Sequence, residues 1–388
     1  MARDRLKIVV VGGGPSGLYF SLLIKRHFPD ADVSVLEQNP RGATYGFGIV
    51  LADRGLERFR RAHPASYDAL MNASFVSRNR IISHPDESLF VEGGGYGGAI
   101  ARLRLIEILE KFCEQEAVLL KFNARVEDPE ELSDADLVVG ADGVNSVVRR
   151  RHELDFGTHS RELTNRLAWY GTTRHFPYPM LSFKRSQDGH FVAAAYAYNE
   201  NMSTFVAECD HHTFLRAGLG SMSEAEQRSY TEAIFADELR GQPLIGNKSA
   251  YRPLPVVRSK EWHVGNRVLI GDALHSAHPT IGSGTRIAME DAIALADALA
   301  LHRGDVHAGL LEFRRSREPG KNKLVLASEK SFDWYEDFGR RVEQLSPVAF
   351  VFDFLMRTGR VDRARLSEEY PLFMARYAAR WDAGDVTA

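Results

Sequence analysis

The pattern of apolar and polar positions changes several times along this chain, and each change predicts an element. Residues 7–11, KIVVV, are an unbroken β-branched run of the kind found in strands buried on both faces, and apolar residues at helical spacing follow from Pro15 to Phe28. A second apolar run, DVSVLE, ends at Glu37, so the amino-terminal segment predicts one strand–helix–strand unit. From Ala101 to Glu116, the spacing of Leu103, Ile106, Leu109 and Phe112 predicts an amphipathic helix, and DLVVGADG from Asp136 predicts a strand running into a turn. Between about Asn165 and Asp210, aromatic and β-branched residues dominate and Asp188-Gly189 supplies a turn, which together predict an antiparallel sheet. Residues 220–240 read as helical. NRVLIGD from Asn266 brings back a short strand of the parallel type, so the first fold resumes after an insertion. Beyond Gly304 the pattern is mainly helical, and the aromatic segments FDWYEDF and FVFDFLM are expected to pack helices together.

Composition narrows the function classes. A chain of 388 residues with 44% hydrophobic content can bury a large core, and a net charge of −3 gives no general attraction to nucleic acid or anionic membrane. Small neutral or anionic partners are expected. The two cysteines, Cys113 and Cys209, form neither a disulfide framework nor a metal-ligand spacing, and no metal is expected. The opening MARDRLKIVVVGGG passes from a short apolar run straight into a glycine motif, so neither a signal peptide nor a membrane anchor is read there. A reducing, cytoplasmic setting follows, with a monomer or homodimer expected.

Two glycine motifs carry the chemistry. Gly12-x-Gly14-x-x-Gly17 sits between the first strand and the first helix, the context that a dinucleotide fingerprint needs. Gly12 permits the tight turn, Gly14 leaves room for a pyrophosphate near the backbone, and Gly17 lets the helix pack on the strand. Glu37, at the end of the second strand, is placed to accept hydrogen bonds from adenosine ribose hydroxyls. This motif does not distinguish NAD from FAD. The later stretch GDALHSAHPTIGSGTRIAMEDA, residues 271–292, makes the distinction, because Asp272 follows an apolar strand and precedes a proline loop and a helix opening near Gly282. An extended cofactor crossing the first motif would offer ribityl hydroxyls to Asp272. NAD has no such polyol, and glycines 282 and 284 would let the backbone approach an isoalloxazine edge beside a helix amino terminus.

With GxGxxG at Gly12, GADGVNS around Asp142, and GD at Asp272 followed by His275 and Pro279, nearly the whole chain resembles the class A flavoprotein monooxygenases, aromatic hydroxylases related in fold to 4-hydroxybenzoate hydroxylase. YGFGIVLADRGLERF, WYGTTRHF, NMSTFVAECD and TIGSGTRIAMEDAIALADAL are similar to the branch holding salicylyl-CoA 5-hydroxylase, anthraniloyl-CoA monooxygenase domains and the violacein-pathway tryptophan hydroxylase. The resemblance implies an α/β fold with a Rossmann-like FAD-binding domain, an inserted antiparallel β-sheet substrate domain and a helical carboxy-terminal region. Its expected segments are FAD-binding at 1–75, 99–164 and 262–330, substrate domain at 76–98 and 165–261, and carboxy-terminal helices at 331–388. It also implies a cofactor set of Gly12, Gly14, Pro15, Ser16, Gly17, Glu37, Arg102, Asp142, Asp272, Pro279, Gly282, Ser283, Gly284 and Thr285. Asp272 is expected at the ribityl chain, Glu37 at the ribose, and Arg102 near the flavin or its phosphates. One departure is Arg286, where the wider family often has Asn; a solvent-facing side chain is expected there, the alternative being one that faces the flavin and adds positive charge near the reduced ring.

The implied reaction is reduction of FAD by NADH or NADPH, formation of a flavin C4a-hydroperoxide with O₂, and hydroxylation of an electron-rich aromatic ring. Water must be excluded from such a site, so an apolar pocket is expected. Trp169, Tyr196, Tyr198 and Phe205 are candidates for it, although alternation along strands requires some of them to fill core instead. Tyr196 and Tyr198 share a face, where pocket and core are equally open readings. His275 and His278 are candidate bases, against the reading of loop histidines as hydrogen-bonded scaffolding. GGGYGG at 93–98 is expected to be a flexible connection before the Arg102 helix, and Arg149, Arg150 and Arg151 to form a solvated face. The leading substrate class is an aryl-CoA thioester such as salicylyl-CoA, hydroxylated at position 5. A free aromatic or indole compound, a non-oxygenating flavin reductase or dehydrogenase, and a binding protein without flavin are the alternatives.

Overall fold

Lys7–Val11 shows why its sequence contains no polar alternation: Ile8 and Val10 are fully buried, and Val9 and Val11 nearly so. In the computed structural model, which describes residues 5–44, 46–52, 56–94, 97–276, 282 and 284–383, this strand pairs in parallel with Asp32–Leu36 on one side and Leu137–Gly140 on the other. Among the described residues the sheet has six strands, continuing through Leu119–Lys121 at one edge and through Arg267–Leu269 and His263–Val264 at the other. Arg267–Leu269 is parallel to Leu137–Gly140, so the first fold resumes after the insertion as the sequence suggested. The helix Pro15–His27 packs against Gly284–Leu301, which packs in turn on Val306–Glu336. The amino-terminal and late segments therefore share one core.

The insertion builds a second sheet, of eight strands among the described residues. Its order is Leu244–Ile245, Thr158–Thr172, Ser203–Cys209, Gly189–Ala197, Met180–Ser186, Arg80–Ser83 and Ser88–Val91, with Arg252–Ser259 also paired to Thr158–Thr172. Met180–Ser186 and Gly189–Ala197 form the hairpin turned at Asp188-Gly189, where Gly189 has φ +130°. Met180–Ser186 and Arg80–Ser83 run parallel, so the expected antiparallel sheet is mixed at that edge. A small antiparallel sheet of Gly48–Ala52, Gly97–Ala101 and Phe75–Ser77 adjoins the other two layers. Four expected segment boundaries fall inside elements: 75/76 divides Phe75–Ser77, 98/99 divides Gly97–Ala101, 164/165 divides Thr158–Thr172, and 330/331 divides Val306–Glu336. The polar first half of Thr158–Thr172, THSRELT, is largely exposed and pairs only with Arg252–Ser259, and its composition hid it from a hydrophobic reading.

The carboxy-terminal helices Phe338–Gln344, Pro347–Met356, Arg363–Glu369 and Pro371–Asp382 cover one face of the second sheet. Phe183 of the sheet lies at 4.7 Å from the Phe350 ring and 5.9 Å from the Trp334 ring in edge-on contacts. FDWYEDF and FVFDFLM are thus helix-packing segments, each buried ring contributing about 2–3 kcal/mol of transfer free energy. No helix among the described residues is long and apolar enough to cross a membrane.

Candidate active site

The amino-terminal glycine turn is shaped by close approaches that exclude a side chain. Gly12 has φ +107°, and a Cβ there would stand 2.6 Å from the Ala141 carbonyl oxygen of the neighbouring strand; a Cβ on Gly17 would stand 2.2 Å from Gly12 O. Gly14 is the extended N-cap of Pro15–His27 and has no such neighbour. No side chain caps this helix and no acidic residue lies in its first turn. Its free amides are therefore suited to an anion. Glu37 Oε2 accepts from Gly13 N at 2.8 Å, and Oε1 accepts from Asn39 N at 2.8 Å and Asn39 Nδ2 at 2.6 Å. A carboxylate has about four acceptor positions, so Oε2 keeps capacity for one more donor.

Two later turns meet this one. Asp142 Oδ2 accepts from Val147 N at 2.6 Å, while Oδ1 is buried without a protein partner, and desolvation pushes its carboxyl above the usual range. Gly271 has φ +61°, and a Cβ on it would stand 3.0 Å from Ser16 Oγ, which places the GD turn directly against the amino-terminal helix. Asp272 is open to the space between them. Surrounding protein nevertheless raises its pKa by desolvation, an effect opposed by the positive charges of Lys321 and Arg102. Arg102 begins the helix Arg102–Gln115, and its own pKa is lowered by desolvation and supported by Asp272 and Glu37.

These turns line one cavity of about 780 Å³, within the range of cofactor and small-molecule sites. Gly12, Gly14, Pro15, Ser16, Glu37, Arg102, Asp142, Asp272, Gly282, Gly284 and Thr285 all border it; Gly17 lies beneath the turn. Pro279, Ser283 and His278 lie outside the described residues. Beside Glu37, the wall is completed by Gln38, Asn39 and residues 124–127, none of which the sequence had marked. At the opposite end Ile49 and Val50 face Trp169, Ala194, Tyr196 and Val206 of the second sheet. Trp169, Val206 and Ala194 are directly opposite one another on three adjacent strands, so they share one face.

Strand alternation separates Phe205 from Trp169 and Tyr196, and the end of the strand at Ala197 separates Tyr198. Trp169 and Tyr196 line the cavity, and the Tyr196 hydroxyl donates to Gly48 O at 3.0 Å. Phe205 points to the opposite face, fully buried beside Phe176 and Phe235, and is core. Tyr198 is also buried outside the cavity lining; its ring occupies the space where a Gly48 Cβ would stand. Trp169 Nε1 is buried without a protein partner.

Several charged or basic residues differ from expectation. His275 does not border the cavity: its Nε2 donates to Ser259 O at 3.1 Å, and its ring meets Trp262 edge-on. Desolvation, then the charges of Lys321 and Arg258, push its pKa down to about 3. Arg286 is buried and paired with Glu290 instead of facing solvent. Of the Arg149–Arg151 run, Arg150 and Arg151 are exposed and only Arg149 departs from the expected solvated face, because successive helical positions diverge by about 100°. Arg150 borders the cavity and Arg151 pairs with Asp128, whereas Arg149 is buried, donating to Ala273 O at 2.9 Å and Val144 O at 2.5 Å. Of the GGGYGG connection, Gly93 and Gly94 lie against Glu369 and Tyr370, and residues 95 and 96 lie outside the described set.

Residues 109–327 match the family model described as an FAD binding domain. The chain is 35% identical to a salicyloyl-CoA 5-hydroxylase from a Streptomyces species over 97% of its own length and 74% of that protein. It is 36% identical to the 3-hydroxy-4-methyl-anthranilyl-[aryl-carrier protein] 5-monooxygenase of Streptosporangium sibiricum, over 76% of this chain and 79% of the relative. In fold it is similar to a solved 2-methyl-3-hydroxypyridine-5-carboxylic acid oxygenase, with a TM-score of 0.70 at 19% identity, covering 94% of this chain and 96% of the other.

Proposed function

The chain belongs to the FAD-binding-domain family of FAD-dependent aromatic monooxygenases, and from that premise we propose that its substrate is an aryl thioester such as salicylyl-CoA, hydroxylated at position 5 with NADH or NADPH as reductant and O₂ as oxidant. The observation that carries this reading is the single cavity bordered at once by the amino-terminal glycine turn, by Asp272 and by the apolar face of the second sheet. Both relatives named above act on an aromatic acyl group attached to a carrier, CoA in one case and an aryl-carrier protein in the other.

The residues fit FAD on chemical grounds. Uncapped helix amides at Pro15–His27 suit a pyrophosphate, the remaining capacity of Glu37 suits a ribose hydroxyl, and Asp272 suits a polyol. When bound, FAD supplies electron transfer from the nicotinamide and the activation of O₂ that inserts one oxygen atom into the ring.

The chain's own contribution is to bind, orient and dry the site. Ile49, Val50, Ala194 and Val206 present apolar surface where the aromatic ring would lie, and the Tyr196 hydroxyl is already committed to Gly48. Burial raises the pKa of Tyr196, so it remains a protonated donor. Trp169 Nε1 offers an unused donor at this end. Among the described residues, this end of the cavity contains no carboxylate or histidine. In this reading an electron-donating substituent on the substrate itself activates the ring.

The test is substrate-dependent NAD(P)H oxidation, with ¹⁸O₂ incorporation, across aryl-CoA thioesters and their free acids. Stimulation and labelled product with the thioesters are expected. Equal turnover of the free acids would remove the thioester assignment, and unlabelled product would remove hydroxylation of the substrates tried.

A further inference from the structure

Behind the turn bearing Asp272 lies a buried charge cluster shared by two helices. Asp291, on Gly284–Leu301, accepts through Oδ2 from the Gly271 backbone N–H at 3.1 Å and from Lys321 Nζ. Its Oδ1 accepts from Arg317 Nε at 2.8 Å. Arg317 Nη2 lies 3.0 Å from Glu290 Oε2, and Glu290 Oε1 pairs with Arg286. None of these five residues is more than 6% exposed. Formally they comprise three cations and two carboxylates, which leaves one positive charge unbalanced in the interior. An uncompensated interior charge is costly, so it requires a further anion. Asp272, next to Gly271 in sequence, is the additional carboxylate within electrostatic reach of Lys321.

We propose that Lys321 is a positioning residue for the cofactor site: through Asp291 it holds the Gly271–Asp272 turn, and its charge keeps Asp272 in the ionised form that accepts hydrogen bonds from the cofactor's polyol. The inference rests on reading Asp272 as a cofactor contact. Burial alone drives Asp272 toward its neutral form. Against this act Lys321 from Val306–Glu336, Arg102 from Arg102–Gln115 and Arg258 from Arg252–Ser259, while Asp291 acts with burial. Lys321 is the largest of these opposing charges, and its full burial shields it from salt. A second contact fixes it in place, since Nζ lies 5.4 Å from the Trp262 ring centroid.

FAD titration of flavin-stripped protein, followed by fluorescence at about pH 6 and about pH 8, tests the assignment. Wild-type affinity is expected to change little between the two. Lys321→Met, in which Asp291 keeps Arg317, is expected to bind more weakly at both values with an additional loss of about tenfold at the lower pH, while Lys321→Arg retains the wild-type profile. In an Asp272→Asn background, Lys321→Met should add no pH dependence. A loss that is equal at both pH values, or that persists unchanged in the Asp272→Asn background, means that Lys321 only packs, and overturns the proposal. Should Lys321→Met fail to fold, wild type and Asp272→Asn decide the matter: their affinities must differ at both pH values, and convergence at the lower one overturns the assignment. Wild-type protein that binds no FAD at all would instead strike the cofactor reading itself, visible before any variant is compared.

Discussion

Arg149 Nη1 donates to the Ala273 carbonyl at 2.9 Å, tying the GADGVNS turn to the GD turn across 124 positions of sequence. Its Nη2 holds Val144 O at 2.5 Å, so one planar guanidinium spans the two loops that flank the cofactor cavity. Arg149→Met would leave both carbonyls without this donor in a buried setting. The expected cost is about 2–4 kcal/mol of stability, because charged hydrogen bonds contribute more than neutral ones. Urea unfolding of the flavin-stripped protein measures it, and FAD affinity should fall in parallel. A stable variant with unchanged FAD affinity would show that the two turns are held by other contacts.

Positions on opposite faces of the second sheet are expected to separate substrate handling from stability. Val206 faces the cavity opposite Ala194, while Phe205 faces the core. Ala194→Leu should crowd the aromatic end of the cavity, raising KM at least about tenfold with FAD content retained. Phe205→Ala should cost about 3–5 kcal/mol of stability through the cavity it leaves, with KM little changed in the folded fraction. Steady-state kinetics and denaturant melts of the two variants would reverse this pattern if the sheet faced the other way.

His275 should contribute to acid stability and not to the pH profile of turnover. Its folded pKa of about 3 is below the ordinary histidine value of 6.5. The unfolded chain therefore binds more protons between those values, and stability contributed by the neutral ring is lost as pH falls through that window. His275→Gln should flatten this loss by a few kcal/mol at most and leave the kcat–pH profile above neutrality unaltered. Loss of the acidic limb of the kcat–pH profile in His275→Gln would restore His275 as a catalytic candidate.

Glu208 has the opposite sign. Buried in Ser203–Cys209, with Oε1 accepting from Asn165 Nδ2 at 2.8 Å, it is raised by desolvation to about 8. The folded chain holds a proton there that the unfolded chain releases above the ordinary value of 4.5. Stability from the protonated group is full below that value and declines as pH rises through about 8. Glu208→Gln, which can still accept from Asn165, should be more stable than wild type at mildly basic pH and similar to it near pH 4. Thermal melts over that range measure the crossover, and parallel curves would show that Glu208 does not titrate there.

The amino-acid sequence determined by itself what depends on near neighbours. The parallel strand at Lys7–Val11, the helix after it and the turn at Gly12, whose φ of +107° favours glycine, follow from apolar periodicity and local backbone conformation, which act over a few residues. The order of the three motifs likewise made the cofactor class legible. Which side chains meet was decided by the tertiary structure, because it depends on the face of one element set against another. Val206 and Phe205 are adjacent and similarly apolar, yet one borders the cavity and the other the core. Arg286 and Arg149 carry the charge of surface residues, but the packing of Gly284–Leu301 against Val306–Glu336 and the approach of the two turns bury them beside partners distant or unmarked in sequence. No local pattern distinguishes Lys321 from the other basic residues of its helix; only Asp291, arriving from a second helix, makes it an interior charge.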